Sequence, residues 1–355
     1  MNIVADENLA LTEYFFADFG PIHHMAGRHL GHADIQDAEV LLVRSVTQVN
    51  AALLENSQLK FVGSATIGTD HLDQTALAQQ QIAWSNAPGC NAQAVAEYVI
   101  TAILSVHPTA LAQKDFCLGI VGLGNVGTRL AKLALRLGWK VLAYDPHVQL
   151  ADVEQVELNQ LLSTADAVSL HVPLIKVGDY PTQHLINTAA LALLKPQAIL
   201  INSSRGPVVE EAALIADIQQ TGRAVVLDVF EHEPQISAQL LNLLRLATPH
   251  IAGYSLEGKA RGTQMIYEAF CQSIAVPANK KIEDQLPTAT PYFTAEQSLE
   301  QVLEQHLVEI YDIARDDAQL RACLKDGVVD QAAFDRLRKD YPLRREWSAH
   351  GGANV

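Results

Sequence analysis

Three groups of residues in this chain have the types and spacing to do chemistry. The first is residues 117–145, CLGIVGLGNVGTRLAKLALRLGWKVLAYD. A short apolar strand enters Gly122-x-Gly124-x-x-Gly127, a long amphipathic helix follows, and a second strand ends at Asp145. Gly122 permits the tight turn, Gly124 lets backbone approach a pyrophosphate, and Gly127 brings helix and strand together. Asn125 and Val126 open the helix, where unpaired N–H groups and the dipole favour an anion. Asp145 stands where it can accept both ribose hydroxyls of an adenosine. That placement favours NAD over NADP, because a further phosphate would meet a carboxylate.

The second and third groups follow at the ends of later strands. Arg205 lies in Asn202-Ser203-Ser204-Arg205-Gly206-Pro207, and its planar guanidinium suits a carboxylate because it offers two parallel N–H bonds. His250 lies in Thr248-Pro249-His250-Ile251-Ala252-Gly253, and Glu233 lies in Asp228-Val229-Phe230-Glu231-His232-Glu233-Pro234. A carboxylate beside an imidazole orients it and favours its charged form. These are the parts for oxidising a hydroxyl next to a carboxylate. Arg205 would fix the carboxylate and His250 would take the hydroxyl proton while hydride leaves for a nicotinamide.

The elements that must position these groups alternate. Residues 2–5, 40–43 and 61–63 read as strands of a small βα domain, ending at Asp6-Glu7-Asn8, Arg44-Ser45 and the polar turn 64–71. Loops at the C-terminal ends of such strands bind ligands in open α/β sheets, so those after Arg44 and Thr66 are substrate candidates. Asp70, His71 and Asp73 match no usual zinc or calcium spacing and read as a turn capping a helix. A helix over 91–107 crosses into the second domain. There strands 167–172, 198–202 and 224–229 alternate with helices, which predicts a doubly wound parallel sheet. Its strand ends collect Asp145, His171, Arg205, Asp228, Glu233 and His250.

Residues 256–273 read as a helix returning to the first domain, and 276–290 as a linker. The final 65 or so residues carry an apolar stripe from Leu299 to Tyr311. Phe334, Leu337, Tyr341 and Trp347 follow, set among Arg336, Arg338, Lys339, Arg344 and Arg345. That basic run reads as a solvated or salt-bridged face on a piece packing against its own chain or a second copy.

At 355 residues the chain allows two or three domains. Its net charge of −15 argues against a general partner among nucleic acids or anionic membranes. An anionic substrate must therefore be held by a local cluster of donors. Four scattered cysteines without CxxC spacing fit a reduced cytosolic protein, no metal site is expected, and no signal peptide or membrane span is visible.

These residues carry a resemblance. From residue 40 to 262 the chain resembles the D-isomer-specific 2-hydroxyacid dehydrogenases. The motifs are RSVTQVN at 44–50, VGSATIGTDH at 62–71, APGCNAQAVAEYV at 87–99, VGLGNVG at 121–127, INSSRG at 201–206 and LDVFEHEP at 227–234. Two more, TPHIAGYSLEGKARGT at 248–263 and FDRLRKDYPLRREWS at 334–348, point to a branch tied to bacterial vitamin B6 biosynthesis. By that resemblance Arg205 and Glu233 match the catalytic arginine and glutamate, and His250 the proton donor or acceptor. Ser45, Thr66 and Tyr254 match substrate contacts, and Asp145, Val172, Asp228 and Gly253 match cofactor contacts.

The resemblance implies a Rossmann nucleotide-binding domain over 93–255. It also implies a flavodoxin-like discontinuous substrate domain over 1–92 plus 256–280, and a small C-terminal α+β dimerisation domain over 281–355. It further implies a cytoplasmic homodimer using NAD, with a 2-keto acid as an acceptor for cofactor reoxidation. Two departures from the wider family favour a phosphorylated 2-hydroxy acid: the longer loop 175–181, and Tyr254 with Lys259 and Arg261. Arg44, beside Ser45 on a rigid strand, is the first candidate for the phosphate, and a C-terminal arginine such as Arg345 is the second. One alternative is a dehydrogenase for another 2-hydroxy acid such as phosphoglycerate, whose usual regulatory domain has no counterpart here. Another is a redox-sensing protein that kept this fold for partner binding, against which the intact Arg205, Glu233 and His250 argue.

Overall fold

The computed structural model describes residues 1–294 and 296–351, which form two compact units. The first comprises residues 1–91 and 255–288, the second residues 92–254 and 289–355.

The first unit is built on five parallel strands, β1 (Ile3–Asp6), β2 (Ile22–Met25), β3 (Val40–Val43), β4 (Phe61–Ser64) and β5 (Ala83–Ser85), in the order β2-β1-β3-β4-β5. The near-continuous apolar runs of β1, β3 and β4 follow from burial on both faces. One face takes the helix Leu256–Ser273, whose Ile266, Tyr267 and Phe270 pack among Phe15, Phe16 and Phe61. Gly63 allows this close approach, since a Cβ there would lie 3.2 Å from the Ile266 side chain. Residues 276–288 are no loose linker. Ile282 is buried, and Lys280 pairs with Asp18 at 2.7 Å and donates to the Tyr14 carbonyl at 2.6 Å.

The large sheet of the second unit has seven strands, all parallel: β6 (Cys117–Val121), β7 (Lys140–Tyr144), β8 (Glu154–Gln155), β9 (Ala167–Leu170), β10 (Ile199–Asn202), β11 (Val225–Leu227) and β12 (Leu246–Ala247). Their order is β12-β11-β10-β9-β6-β7-β8. The order reverses direction at β6, so ligands are expected beyond the carboxyl ends of β6 and its neighbours. Side chains alternate across the sheet. Leu118, Ile120, Ile199 and Ile201 join the core under helices Ala92–Val106 and Asn125–Arg136. Val121, Val168, Leu200 and Val225 join the core on the opposite face. Each fully buried aliphatic side chain of this kind contributes about 1.5–3 kcal/mol.

The C-terminal segment packs on both faces of this same sheet. Helix Leu299–Ile310 starts at a capping box of Ser298 and Gln301 and gives Val302, Leu303 and Ile310 to the first core, as does Trp347. Helix Ile313–Arg321, capped by Asp312, and helix Gln331–Lys339, capped by Asp330, give Leu320 and Phe334 to the second. Between them β13 (Leu324–Lys325) and β14 (Val328–Val329) form a hairpin turning at Asp326 and Gly327. Both residues have positive φ, as a two-residue hairpin turn of this hand requires. The fold is thus the expected doubly wound parallel α/β sheet with a second, flavodoxin-like parallel sheet and a small α+β segment.

Candidate active site

The glycine turn after β6 has the geometry its sequence requires. Gly122 adopts φ +96°, and a Cβ on it would lie 2.6 Å from the His171 carbonyl and 3.0 Å from Val172. A Cβ on Gly127 would sit 1.9 Å from the Gly122 carbonyl, so helix Asn125–Arg136 rests directly on the turn. Gly124, the N-cap, has no atom within 4 Å of its Cβ position. Space is therefore open there for a pyrophosphate to approach the backbone. Asp145 is fixed from below. Its Oδ2 accepts from Leu123 N at 2.7 Å, and its Oδ1 accepts from His147 N at 2.8 Å and Val148 N at 2.9 Å. The carboxylate thus ties the end of β7 to the glycine turn and keeps remaining lone pairs for a ribose. Glycine turn, helix start and acid fit a dinucleotide.

Arg205 follows β10 on a turn organised by Asn202. The Asn202 Oδ1 accepts from Ser204 N and Ser204 Oγ at 3.0 and 2.8 Å, and its Nδ2 donates to the Arg205 carbonyl at 2.9 Å. Gly206 must lack a Cβ, which would fall 1.9 Å from the Phe230 carbonyl. The arginine turn is thereby packed against the stretch that leads to Glu233.

His250 and Glu233 meet: Nδ1 and Oε1 are 2.9 Å apart. The imidazole side chain is 38% exposed and the carboxylate 20%, so solvent and substrate reach the histidine first. Burial pushes the Glu233 carboxyl up, but the His250 hydrogen bond and charge, with Arg338 behind them, hold it below the usual range. An ionised Glu233 accepts from Nδ1–H, which leaves Nε2 as the nitrogen that takes a proton.

The backbone at His250 has φ +58°, the left-handed region that costs a non-glycine residue about 1–2 kcal/mol. Asp228 opposes that strain. Its Oδ1 accepts from Thr248 Oγ1 at 2.6 Å and Ile251 N at 2.8 Å, and its Oδ2 accepts from Ala252 N at 2.9 Å. Tyr98 completes the chain through Thr248 Oγ1 at 2.7 Å. Burial raises the Asp228 carboxyl, against the opposing pull of His250 and these donors. Asp228 therefore acts first as the fastener of the histidine loop. Gly253 lies in the turn that follows, closed by Tyr254 N donating to the Ile251 carbonyl at 2.8 Å.

His171, grouped with the strand-end residues by sequence, does other work. Burial pushes its imidazole down to about 3, and Nε2 lies 2.8 Å from Ser169 Oγ. It stays neutral and braces the strand beside Gly122.

Ser45, Thr66 and Arg44 stand on the first unit. Ser45 is exposed after β3. Arg44 Nε donates to the fully buried Asp6 at 3.0 Å, which fixes one edge of the guanidinium. Thr66 Oγ1 lies 2.8 Å from Ser64 Oγ, itself 2.9 Å from His71 Nε2. Asp73 caps helix Gln74–Gln79 through Ala76 N at 3.0 Å.

Two members of the basic C-terminal run, Arg338 and Arg344, depart from its reading as a solvated or salt-bridged face, while Arg336 and Lys339 are exposed. Arg338 lies over the Tyr254 ring at 5.9 Å, with Nη2 3.3 Å from its hydroxyl. Arg344 lies over the Tyr311 ring at 4.4 Å and donates to the backbone carbonyls of Ala94, Ile251, Ala252 and Tyr254. Sequence reasoning named both residues without their role. Their partners are carbonyls and a phenol some 84 to 93 residues away in the chain, or more.

A doubly wound dinucleotide domain with Arg205 and a His–Glu pair at its strand ends is that of a nicotinamide-linked 2-hydroxyacid dehydrogenase. Residues 105–252 match the family described as D-isomer specific 2-hydroxyacid dehydrogenase, NAD binding domain, and residues 286–351 match one described as a domain of unknown function. The chain is 65% identical over 353 residues, 99% of each chain, to the erythronate-4-phosphate dehydrogenase of Acinetobacter baumannii. It is 48% identical, over 98% of this chain and 97% of the relative, to the protein of that name from Psychrobacter cryohalolentis. Among solved structures, D-lactate dehydrogenase from Aquifex aeolicus with NAD and lactic acid superposes with a TM-score of 0.65 at 24% identity. That match covers 78% of this chain and 96% of the other. A D-2-hydroxyisocaproate dehydrogenase superposes at 0.67 and 23%, over 79% and 98%. The chain belongs to the erythronate-4-phosphate dehydrogenases, a branch of the D-isomer specific 2-hydroxyacid dehydrogenases, and its cofactor is NAD.

Proposed function

We propose that this chain oxidises 4-phospho-D-erythronate to (R)-3-hydroxy-2-oxo-4-phosphooxybutanoate in vitamin B6 biosynthesis, working as a cytoplasmic homodimer. The observation that carries the reading is the His250–Glu233 pair at 2.9 Å, with the imidazole exposed and the carboxylate held ionised. The high identity to relatives of that name supports the substrate. The dimer follows from the family resemblance. A reducing compartment suits four scattered cysteines without CxxC spacing, three of them buried.

Bound NAD supplies the hydride acceptor. Arg205 holds the substrate carboxylate through two parallel N–H bonds, which orients C2. His250 takes the C2 hydroxyl proton on Nε2 as the C2–H bond breaks and its electron pair leaves with hydrogen. The C–O bond becomes a carbonyl, and the resulting imidazolium faces the Glu233 carboxylate. General base assistance of this kind is worth about 100- to 10,000-fold in rate. Ser45, Thr66 and Tyr254 are assigned to substrate binding, and Arg44, oriented by Asp6, to the phosphate. Asn125, Val126, Val172, Asp228 and Gly253 join the three glycines and Asp145 as cofactor contacts.

The test is turnover of 4-phospho-D-erythronate with NAD and a 2-keto acid acceptor, set beside 3-phosphoglycerate and unphosphorylated erythronate. Selective turnover of the first is expected, falling by about 100-fold or more in Arg205→Ala and His250→Ala proteins that still bind NAD. NAD-binding protein that turns over none of the three acids would remove the reading.

A further inference from the structure

The geometry points to Arg344 as a positioning residue for His250, which gives the segment matched as a domain of unknown function a part in the active site of its own chain. The inference rests on His250 being the proton-transfer group. The Arg344 Nη1 donates to the carbonyls of Ile251 at 3.1 Å and Tyr254 at 3.3 Å. Its Nη2 donates to the carbonyl of Ala94 at 3.1 Å and to that of Ala252.

The same two residues, Ile251 and Ala252, give their N–H groups to Asp228. Both polar edges of the backbone next to His250 are therefore held, one by a buried carboxylate and the other by a guanidinium. A left-handed conformation at a non-glycine residue persists only where its surroundings over-determine it. The clamp is itself braced. Arg344 lies on Tyr311, and the hydroxyls of Tyr311 and Tyr341 both donate to Asp316 Oδ2 at 2.8 Å. Arg338 reaches Tyr254, the last residue of the loop, from the same segment. Lysine cannot replace this fork, because a point charge with three rotatable donors cannot serve four carbonyls around a planar group.

The experiment compares wild type, Arg344→Lys and Arg344→Met as full-length proteins with NAD. It reads kcat and KM for 4-phospho-D-erythronate, and amide hydrogen exchange over residues 248–256. A loop displaced by about 1 Å loses about 100-fold in rate, so the expected result is a fall of about 10- to 100-fold in kcat. Little change in KM and faster exchange of the loop amides should accompany it. Arg336→Met, exposed on helix Gln331–Lys339, should leave both readouts at wild-type values.

Wild-type kcat and exchange in folded Arg344→Lys would overturn the inference. So would a lowered kcat with unchanged exchange, since the effect would not pass through the loop. If Arg344→Met does not fold, Arg344→Lys decides. Should wild type turn over no 2-hydroxy acid, the functional reading fails separately, and loop exchange alone then decides the clamp.

Discussion

Gly124 separates the needs of the fold from those of the ligand at a single residue. Its φ of −65° suits any L-amino acid, and nothing lies within 4 Å of its Cβ position. Gly124→Ala is therefore expected to unfold at the wild-type denaturant midpoint while binding NAD at least about tenfold more weakly, because the methyl group would fill space the pyrophosphate needs. Unchanged NAD affinity in a titration would count against the turn as the phosphate site. Gly127 and Gly206 are different, since a Cβ on either would overlap a carbonyl oxygen of the protein itself.

Such local requirements are also the ones most visible in the sequence. The glycine spacing, Asp145 after the second strand, and Asn202 and Gly206 around Arg205 are each marked by residue type next to a strand end, even where the atom they meet lies far along the chain, as the Phe230 carbonyl does for Gly206. His171 looked equivalent to its strand-end neighbours because its burial and its bond to Ser169 depend on packing that no spacing reveals.

At the scale of elements, the helix Ala92–Val106 carries more than an apolar face. Glu97 lies buried on it, and both its oxygens accept from Trp347 N at 3.1 Å. Burial first, and then the nearby Glu346 carboxylate, push the Glu97 carboxyl well above its ordinary value of 4.5. The sign follows from linkage. An acid raised on folding contributes stability that is fully present below the unfolded value, near 4.5, and is lost as pH rises through the folded value. Glu97→Gln keeps an oxygen for Trp347 N and removes the charge. Its Tm is expected to exceed wild type by a few degrees at pH 8 and to match it near pH 4.5. A Tm below wild type at both pH values would contradict this account of the buried carboxylate.

Element prediction from sequence succeeded where apolar runs are unbroken, as in β3, β6 and β10. It missed β2, whose Ile-His-His-Met turns two histidines to solvent, the three-residue β5, and the two-residue strands β8, β13 and β14. The partners of Arg338 and Arg344 were hidden for a related reason. A backbone carbonyl has no signature in the residue type that bears it, so a cation that binds carbonyls looks like any surface cation.

On the scale of the whole molecule, the C-terminal segment does not hang from the dinucleotide domain. It feeds both hydrophobic cores of that domain and, through Asp317, Arg321 and Arg344, bonds backbone at β12, at the end of helix Ala238–Leu243 and in the histidine loop. Its sequence showed a helical stripe and a basic run, but not which sheet they would cover. Among the described residues no helix is long and apolar enough to cross a membrane.

In the proposed reaction hydride leaves C2 of a phosphorylated 2-hydroxy acid while His250 takes the hydroxyl proton. This step is tested most directly with 4-phospho-D-erythronate carrying deuterium at C2, incubated with the protein and NAD and followed by mass spectrometry of the nicotinamide. The expected result is one deuterium in the reduced cofactor and none in the oxo acid. Unlabelled reduced cofactor, or labelled substrate recovered intact from protein that binds NAD, would contradict it.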